Sequence, residues 1–281
     1  MDVTGERLIP GFKSFSELEH LNRYYFVVNQ INLTGKKVLD IASGEGYGSN
    51  ILANYAEKVT GVDISPEAIA HAQKVYNRNN LEYIQGNATK IPLTDKSIDV
   101  VVSFETIEHL EEQERMMEEI CRVMKSEGIL IISSPDKYYY SDVPNFKNEF
   151  HVKELYYEEF KNLISRYFQK SIFFSQRNFG GSIIALDQDK STYNKPLVVE
   201  NNGESHSFLP EYNIAIATND LKFTIPHQIL MYTEQKRVIT KFDIENAVYE
   251  AEMRLRKSIT WKTGYYILYP LKKIKRMFRK E

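Results

Sequence analysis

Val38-Leu-Asp-Ile-Ala-Ser-Gly-Glu-Gly-Tyr-Gly-Ser49 is the stretch on which the fold turns. An apolar run ends in a carboxylate, Asp40, small residues alternate, and a helical pattern begins at once. A buried parallel strand turns tightly into a helix in this way, and Gly44 and Gly46 let a ligand approach the backbone. About twenty residues further on, Gly61-Val-Asp-Ile-Ser65 reads as a second short strand ending in Asp63. A carboxylate at that distance from a glycine turn stands where a ribose diol would donate two hydrogen bonds.

The chain alternates regularly on either side. Strands are expected at Lys37–Ile41, Lys58–Val62, Leu81–Gln85, Ile98–Ser103 and Gly128–Ser133, with helices at Tyr47–Ala56 and from Pro66 to about Asn79. That alternation specifies right-handed crossovers and a parallel sheet, with ligands gathered at the carboxyl ends of the strands. Upstream, Ser16–Ile31 reads as a helix capped by Ser16, either packed on the sheet or serving as a lid. Downstream, Tyr157–Ile164 reads as a helix, Phe168–Ser175 as a sixth strand and Tyr212–Thr218 as a seventh. Residues 187–210 read as a polar surface insertion with a turn at Asn201-Asn-Gly203.

With 281 residues, 42% hydrophobic and 26% charged, the chain reads as one globular domain plus an appendage. A net charge of −2 argues against nucleic acid as a partner. The single Cys121 excludes an internal disulfide framework and suits a reducing, cytoplasmic setting. The opening residues lack the apolar core of a secretion signal, and no run reaches the length of a membrane span. Lys241–Lys257 reads as a charged helix that packs on the body or a partner. The tail from Leu271 to Lys280 is basic and amphipathic, a pattern that suits peripheral contact with an anionic membrane face or a solvated helix. The oligomeric state is left open.

The pairing of the two strand ends resembles the class I S-adenosylmethionine-dependent methyltransferases. Asp40, Gly44, Gly46 and Asp63 match that family's motifs, and Ala42 stands where glycine is frequent. The resemblance implies a Rossmann-like α/β fold, a seven-stranded mostly parallel sheet with an antiparallel last strand, plus a helical C-terminal appendage. The implied organisation is a helical lid over residues 1–34, the methyltransferase domain over 35–219 and the appendage over 220–281. It also implies S-adenosylmethionine as cofactor. Asp63 with Ile64 would hold the nucleoside, Asn87 and Ala88 the adenine edge, and Phe104 would also bind the cofactor. Glu19-His-Leu-Asn-Arg-Tyr24 resembles the leader of bacterial sugar-modifying members, which gives Arg23 the methionine carboxylate.

After the fourth strand comes Glu105-Thr-Ile-Glu-His109. If Glu105 opens a helix, Glu108 and His109 fall at i+3 and i+4 beside the cleft. Carboxylates and imidazole together suit Mg²⁺ or Mn²⁺, with imidazole favouring Mn²⁺ or a transition ion. This string resembles the metal-binding element of ubiquinone-pathway and small-RNA 2′-O-methyltransferases, in which a downstream histidine, here His151, completes the site. Alternatively the glutamates favour a helix dipole and His109 is a pocket wall. Without metal, His109 or His151 would be the general base. The longer strings Thr4–Pro10, Ser134-Pro-Asp-Lys-Tyr138 and Asn148–Leu155 resemble methyltransferases of surface-glycan gene clusters. They imply a sugar or glycan hydroxyl as acceptor, with Tyr138–Tyr140, Tyr156 and Tyr157 for stacking or packing. The alternatives are an RNA end, a small metabolite, or a non-catalytic cofactor-binding partner in a glycan assembly complex.

Overall fold

In the computed structural model, the described residues are 15–178, 182–187, 197–201, 204–227 and 229–232. The chain divides into two units, Met1–Thr233 and Glu234–Glu281, and the second lies outside the described residues. The readings of Lys241–Lys257 and of the basic tail fall there.

The first strand, β1 (Lys37–Ile41), is buried after its first residue. Such a run fits a parallel strand covered on both faces. It lies between β2 (Lys58–Asp63) and β4 (Ile98–Ser103), parallel to both, and β3 (Leu81–Gln85) pairs with β2. The next strand, β5 (Met124–Pro135), is parallel to β4, while β10 (Tyr212–Thr218) runs antiparallel between β5 and β6 (Lys170–Asn178). These seven strands form the expected mostly parallel sheet with its antiparallel last member.

The sheet continues past them. The further strands β7 (Ser182–Leu186) and β11 (Ile229–Tyr232) extend it to nine, in the order β11-β7-β6-β10-β5-β4-β1-β2-β3. The pair Gly180-Gly181 before the apolar run Ser182-Ile-Ile-Ala-Leu186 is a hairpin signal. Within the surface insertion, β8 (Leu197–Asn201) and β9 (Glu204–Phe208) pair as a hairpin.

Alternation along β1 sends Val38 to one face and Leu39 and Ile41 to the other. On the Leu39 face, Met116, Met117 and Ile120 of α4 (Gln113–Val123) and Phe160 and Leu163 of α5 (Tyr157–Tyr167) close the core. Opposite, Phe26 and Val27 of α1 (Phe15–Gln30) and Leu52 of α2 (Tyr47–Leu52) pack over Val38, Val100 and Phe174. Each such side chain, fully withdrawn from water, contributes about 2 kcal/mol. The helix α1 starts one residue before Ser16, which places that serine inside it rather than at its cap. By contrast, Ser65 caps α3 (Pro66–Val75) as its sequence dictates, accepting from the Ala68 N–H at 3.2 Å with Pro66 in the first turn. Among the described residues no helix is long and apolar enough to cross a membrane.

Candidate active site

The turn after β1 is held in left-handed backbone at Ala42 (φ 57°), Gly44 (52°) and Gly46 (85°). A Cβ at Gly44 would meet nothing within 4 Å, so this peptide faces open space. At Gly46 it would come within 2.6 Å of the Tyr83 hydroxyl, so that glycine serves packing. Ala42 adopts the strained conformation with a Cβ, at a cost of about 1 kcal/mol.

Asp63 ties the end of β2 to this turn. Its Oδ2 accepts from the Gly44 N–H and its Oδ1 from the Ser65 N–H, each at 2.9 Å. An ionised carboxylate offers roughly four lone-pair sites, and these two backbone bonds are among those it makes. Next to it Ile64 is exposed, an apolar side chain at the rim where a planar base would lie. Asp40 sits differently. It is fully buried beneath the turn, accepts from Ser49 Oγ at 2.6 Å and Tyr24 Oη at 3.3 Å, and burial pushes its carboxyl up to about 7. Its placement is that of a buttress within the protein. Asn87 turns its carbonyl onto its own loop, accepting from the Thr89 N–H and hydroxyl, both at 2.9 Å. Ala88 beside it is half-buried, and Phe104 is buried edge-on against Tyr24 at 5.2 Å.

Arg23 lies fully buried on α1. Its Nη2 donates to Glu19 Oε1 at 3.0 Å and lies 3.7 Å from Glu105 Oε1, and its guanidinium carbon stands 4.5 Å above the Tyr212 ring. The Nη1 atom has no hydrogen-bond partner although it is buried. A buried unpaired donor of that charge fits a ligand carboxylate. Burial raises Glu19 to about 7 against the opposing pull of Arg23. Burial, then Arg23, lowers the neighbouring His20 to about 3, so that imidazole stays neutral, 3.2 Å from Tyr47 Oη.

The acidic–imidazole group is rearranged relative to the sequence reading. Glu105 does not open a helix. It takes a left-handed backbone (φ 49°), and the short 3-10 turn covers only Ile107–His109. Helical spacing therefore does not carry Glu105 to Glu108. Glu105 turns back to Ser133, whose hydroxyl donates to its Oε1 at 2.6 Å. The group that does converge is Glu108, His109 and His151, with one donor atom from each within 4.8 Å of the others. Two backbone bonds from Val152 and Lys153 N–H to the Glu108 carbonyl, both 2.9 Å, bring the distant His151 segment here.

The two imidazoles differ. His109 Nδ1 lies 3.0 Å from the Phe150 carbonyl, so Nδ1 carries the proton and Nε2 is the acceptor, 4.0 Å from Glu108 Oε1. His151 is held at both nitrogens, by Glu154 Oε1 at 2.5 Å and by Asn148 Nδ2 at 2.9 Å. The Asn148 carbonyl accepts from the Phe150 N–H, which fixes its amide as the donor, so a metal at His151 Nε2 requires Asn148 to yield. Tyr140 stacks on His151 at 5.4 Å. Of the other tyrosines, Tyr157 is buried in the core, and Tyr138 and Tyr156 are exposed.

Known proteins share this stretch of sequence and this fold. Residues 39–132 match the family model described as a methyltransferase domain. Over these residues the chain is similar to S-adenosylmethionine-dependent methyltransferases. A probable S-adenosylmethionine-dependent methyltransferase of Mycobacterium tuberculosis is 36% identical over 174 residues, covering 58% of this chain and 60% of that protein. A phthiotriol/phenolphthiotriol dimycocerosates methyltransferase of Mycobacterium leprae is 33% identical over 113 residues, covering 40% and 42%. The chain thus spans about three fifths of the first of these relatives and less of the second. A methyltransferase structure from Archaeoglobus fulgidus superposes with a TM-score of 0.53 at 19% identity, covering 73% of this chain and 94% of that one, and shares the fold. The open peptide at Gly44, the Asp63 carboxylate and Arg23 Nη1 are the groups that could meet the backbone-facing edge, ribose and carboxylate of such a cofactor.

Proposed function

We propose that the protein transfers the sulfonium methyl group of S-adenosylmethionine to a hydroxyl group of a sugar, free or within a glycan. The observation that carries this reading is the convergence of Glu108, His109 and His151 after β4. A sulfonium methyl is already electrophilic, so the protein must align the acceptor and take away one proton. An alcohol has a pKa near that of water and needs help with that proton, which a thiol or amine acceptor needs far less. His109 Nε2 is the acceptor atom of its ring and is the group we assign to this step. Glu108 Oε1 stands where it would stabilise the imidazolium. His151, held by Glu154 and Asn148, orients the segment.

The same three residues fit a divalent cation. The carboxylate and two imidazoles suit Mn²⁺ better than Mg²⁺, and the backbone carbonyl on His109 Nδ1 is the kind of partner that orients a ligating imidazole. A bound cation would lower the pKa of a coordinated sugar hydroxyl. Glu105, tied to Ser133 and close to Arg23, is not part of this ligand set.

A second reading is a hydroxyl on a lipid. Tyr138, Val143, Phe146, Phe150, Val152 and Tyr156 are all exposed within the segment that carries His151. The M. leprae relative is described as acting on dimycocerosate lipids. Incubation with methyl-labelled S-adenosylmethionine and separate sugar, glycolipid and lipid acceptors tests both. Label on a sugar oxygen supports the first reading, and label on a lipid hydroxyl replaces it with the second. Formation of no S-adenosylhomocysteine with any acceptor removes both.

A further inference from the structure

The arginine assigned to the cofactor is hydrogen-bonded to a residue 153 positions away. Gln176 on β6 is fully buried, and its amide is used at both ends. Its Oε1 accepts from Arg23 Nε at 2.7 Å, and its Nε2 donates to the Glu19 carbonyl at 2.9 Å and to Ser182 Oγ at 2.7 Å. Reversing the amide would set donor against donor at Arg23 and carbonyl against carbonyl at Glu19. One orientation is therefore enforced.

With Nε on Gln176 and Nη2 on Glu19, the guanidinium fork can turn only one edge outward, and that edge carries the unpartnered Nη1. Ser182 lies on β7, outside the seven strands, and also accepts from Asn22 Nδ2 at 3.0 Å. Asn178 Nδ2 donates to Glu19 Oε2 at 2.8 Å. The β6–β7 hairpin thus holds three polar residues of α1: Glu19, Asn22 and Arg23.

We infer that Gln176, seated by Ser182, is a positioning residue that aims Arg23 Nη1 at the methionine carboxylate of the cofactor, so that the added sheet edge sets cofactor recognition. This rests on the methyltransferase reading above. A planar guanidinium reads a carboxylate by direction as well as charge, so loss of its anchor should weaken one contact rather than the whole site.

Calorimetric titration with S-adenosylmethionine and with its decarboxylated analogue tests this in the wild-type chain, in Gln176→Met and in Ser182→Ala. The wild type should prefer S-adenosylmethionine. Gln176→Met should lose about tenfold in affinity for S-adenosylmethionine, with affinity for the analogue held within about twofold. Ser182→Ala is the milder variant should Gln176→Met fold poorly, with about a threefold loss confined to S-adenosylmethionine. Equal weakening of both compounds, or no weakening of either, overturns the role of Gln176. A wild type that binds both equally overturns the carboxylate assignment, and the inference with it. A wild type that binds neither overturns the methyltransferase reading itself.

Discussion

The two halves of the candidate site are built differently. Around β1 and β2 the functional groups come from a strand end and a glycine turn, each within a regular strand–turn–helix unit and tied by backbone hydrogen bonds. Beyond β4 they come from irregular chain: a left-handed Glu105, one 3-10 turn at Ile107–His109 and a short π-helical segment at Lys137–Asp142. The first side suits a constant ligand, bound the same way in every turnover. The second places polar donors next to exposed apolar residues, which suits a site shaped to one acceptor. Cofactor binding and acceptor chemistry should therefore respond separately to substitution.

His109→Ala tests that separation with the largest effect. Turnover should fall about a thousandfold while affinity for S-adenosylmethionine stays within about twofold, as read by a discontinuous methyl-transfer assay beside calorimetry. A matching loss of cofactor affinity would merge the two sides. His151→Ala should cost less, because both of its ring nitrogens are already engaged. Asp63→Ala should act in the opposite sense. Cofactor affinity should drop about a hundredfold, given the proposed ribose contact and the bond that ties the carboxylate to the turn, and unchanged affinity would remove the ribose assignment.

A smaller effect concerns pH. Burial raises Asp40 and Glu19 from the ordinary carboxylate range to about 7. Both then bind protons more tightly folded than unfolded. Their contribution is fully present below about pH 4 and is lost as pH rises through about 7. The urea midpoint should therefore fall between about pH 5 and pH 8, and Asp40→Asn, which can still accept from Ser49 and Tyr24, should flatten that fall. A slope identical to wild type would place the raised group elsewhere. The smallest change is Ala42→Gly, which should stabilise by about 0.5–1 kcal/mol by relieving the left-handed alanine, measured as a shift in the urea midpoint. Destabilisation would mean that the Ala42 methyl packs more than it strains.

This same division decided what the sequence could disclose. Gly44, Gly46 and Asp63 were legible because turn chemistry is local, and Pro66 announced α3 for the same reason. Glu105 was misread because helical spacing was applied to a residue whose backbone is left-handed, and nothing in its type signals that. Bringing His151 to His109 depends on backbone bonds to Glu108 across more than forty residues, which no periodicity reveals. Gln176 carries no motif at all, and its role appears only once β6 is laid beside α1. The strand β7 could have been found, since a Gly-Gly pair precedes its apolar run.

The most direct test of the central claim is a crystal structure of the chain grown with S-adenosylhomocysteine and Mn²⁺. Ribose oxygens within about 3 Å of Asp63, with the thioether sulfur turned toward His109, is the expected result. A nucleoside seated away from Asp63, or His109 on the far side of the cofactor from the sulfur, would contradict it.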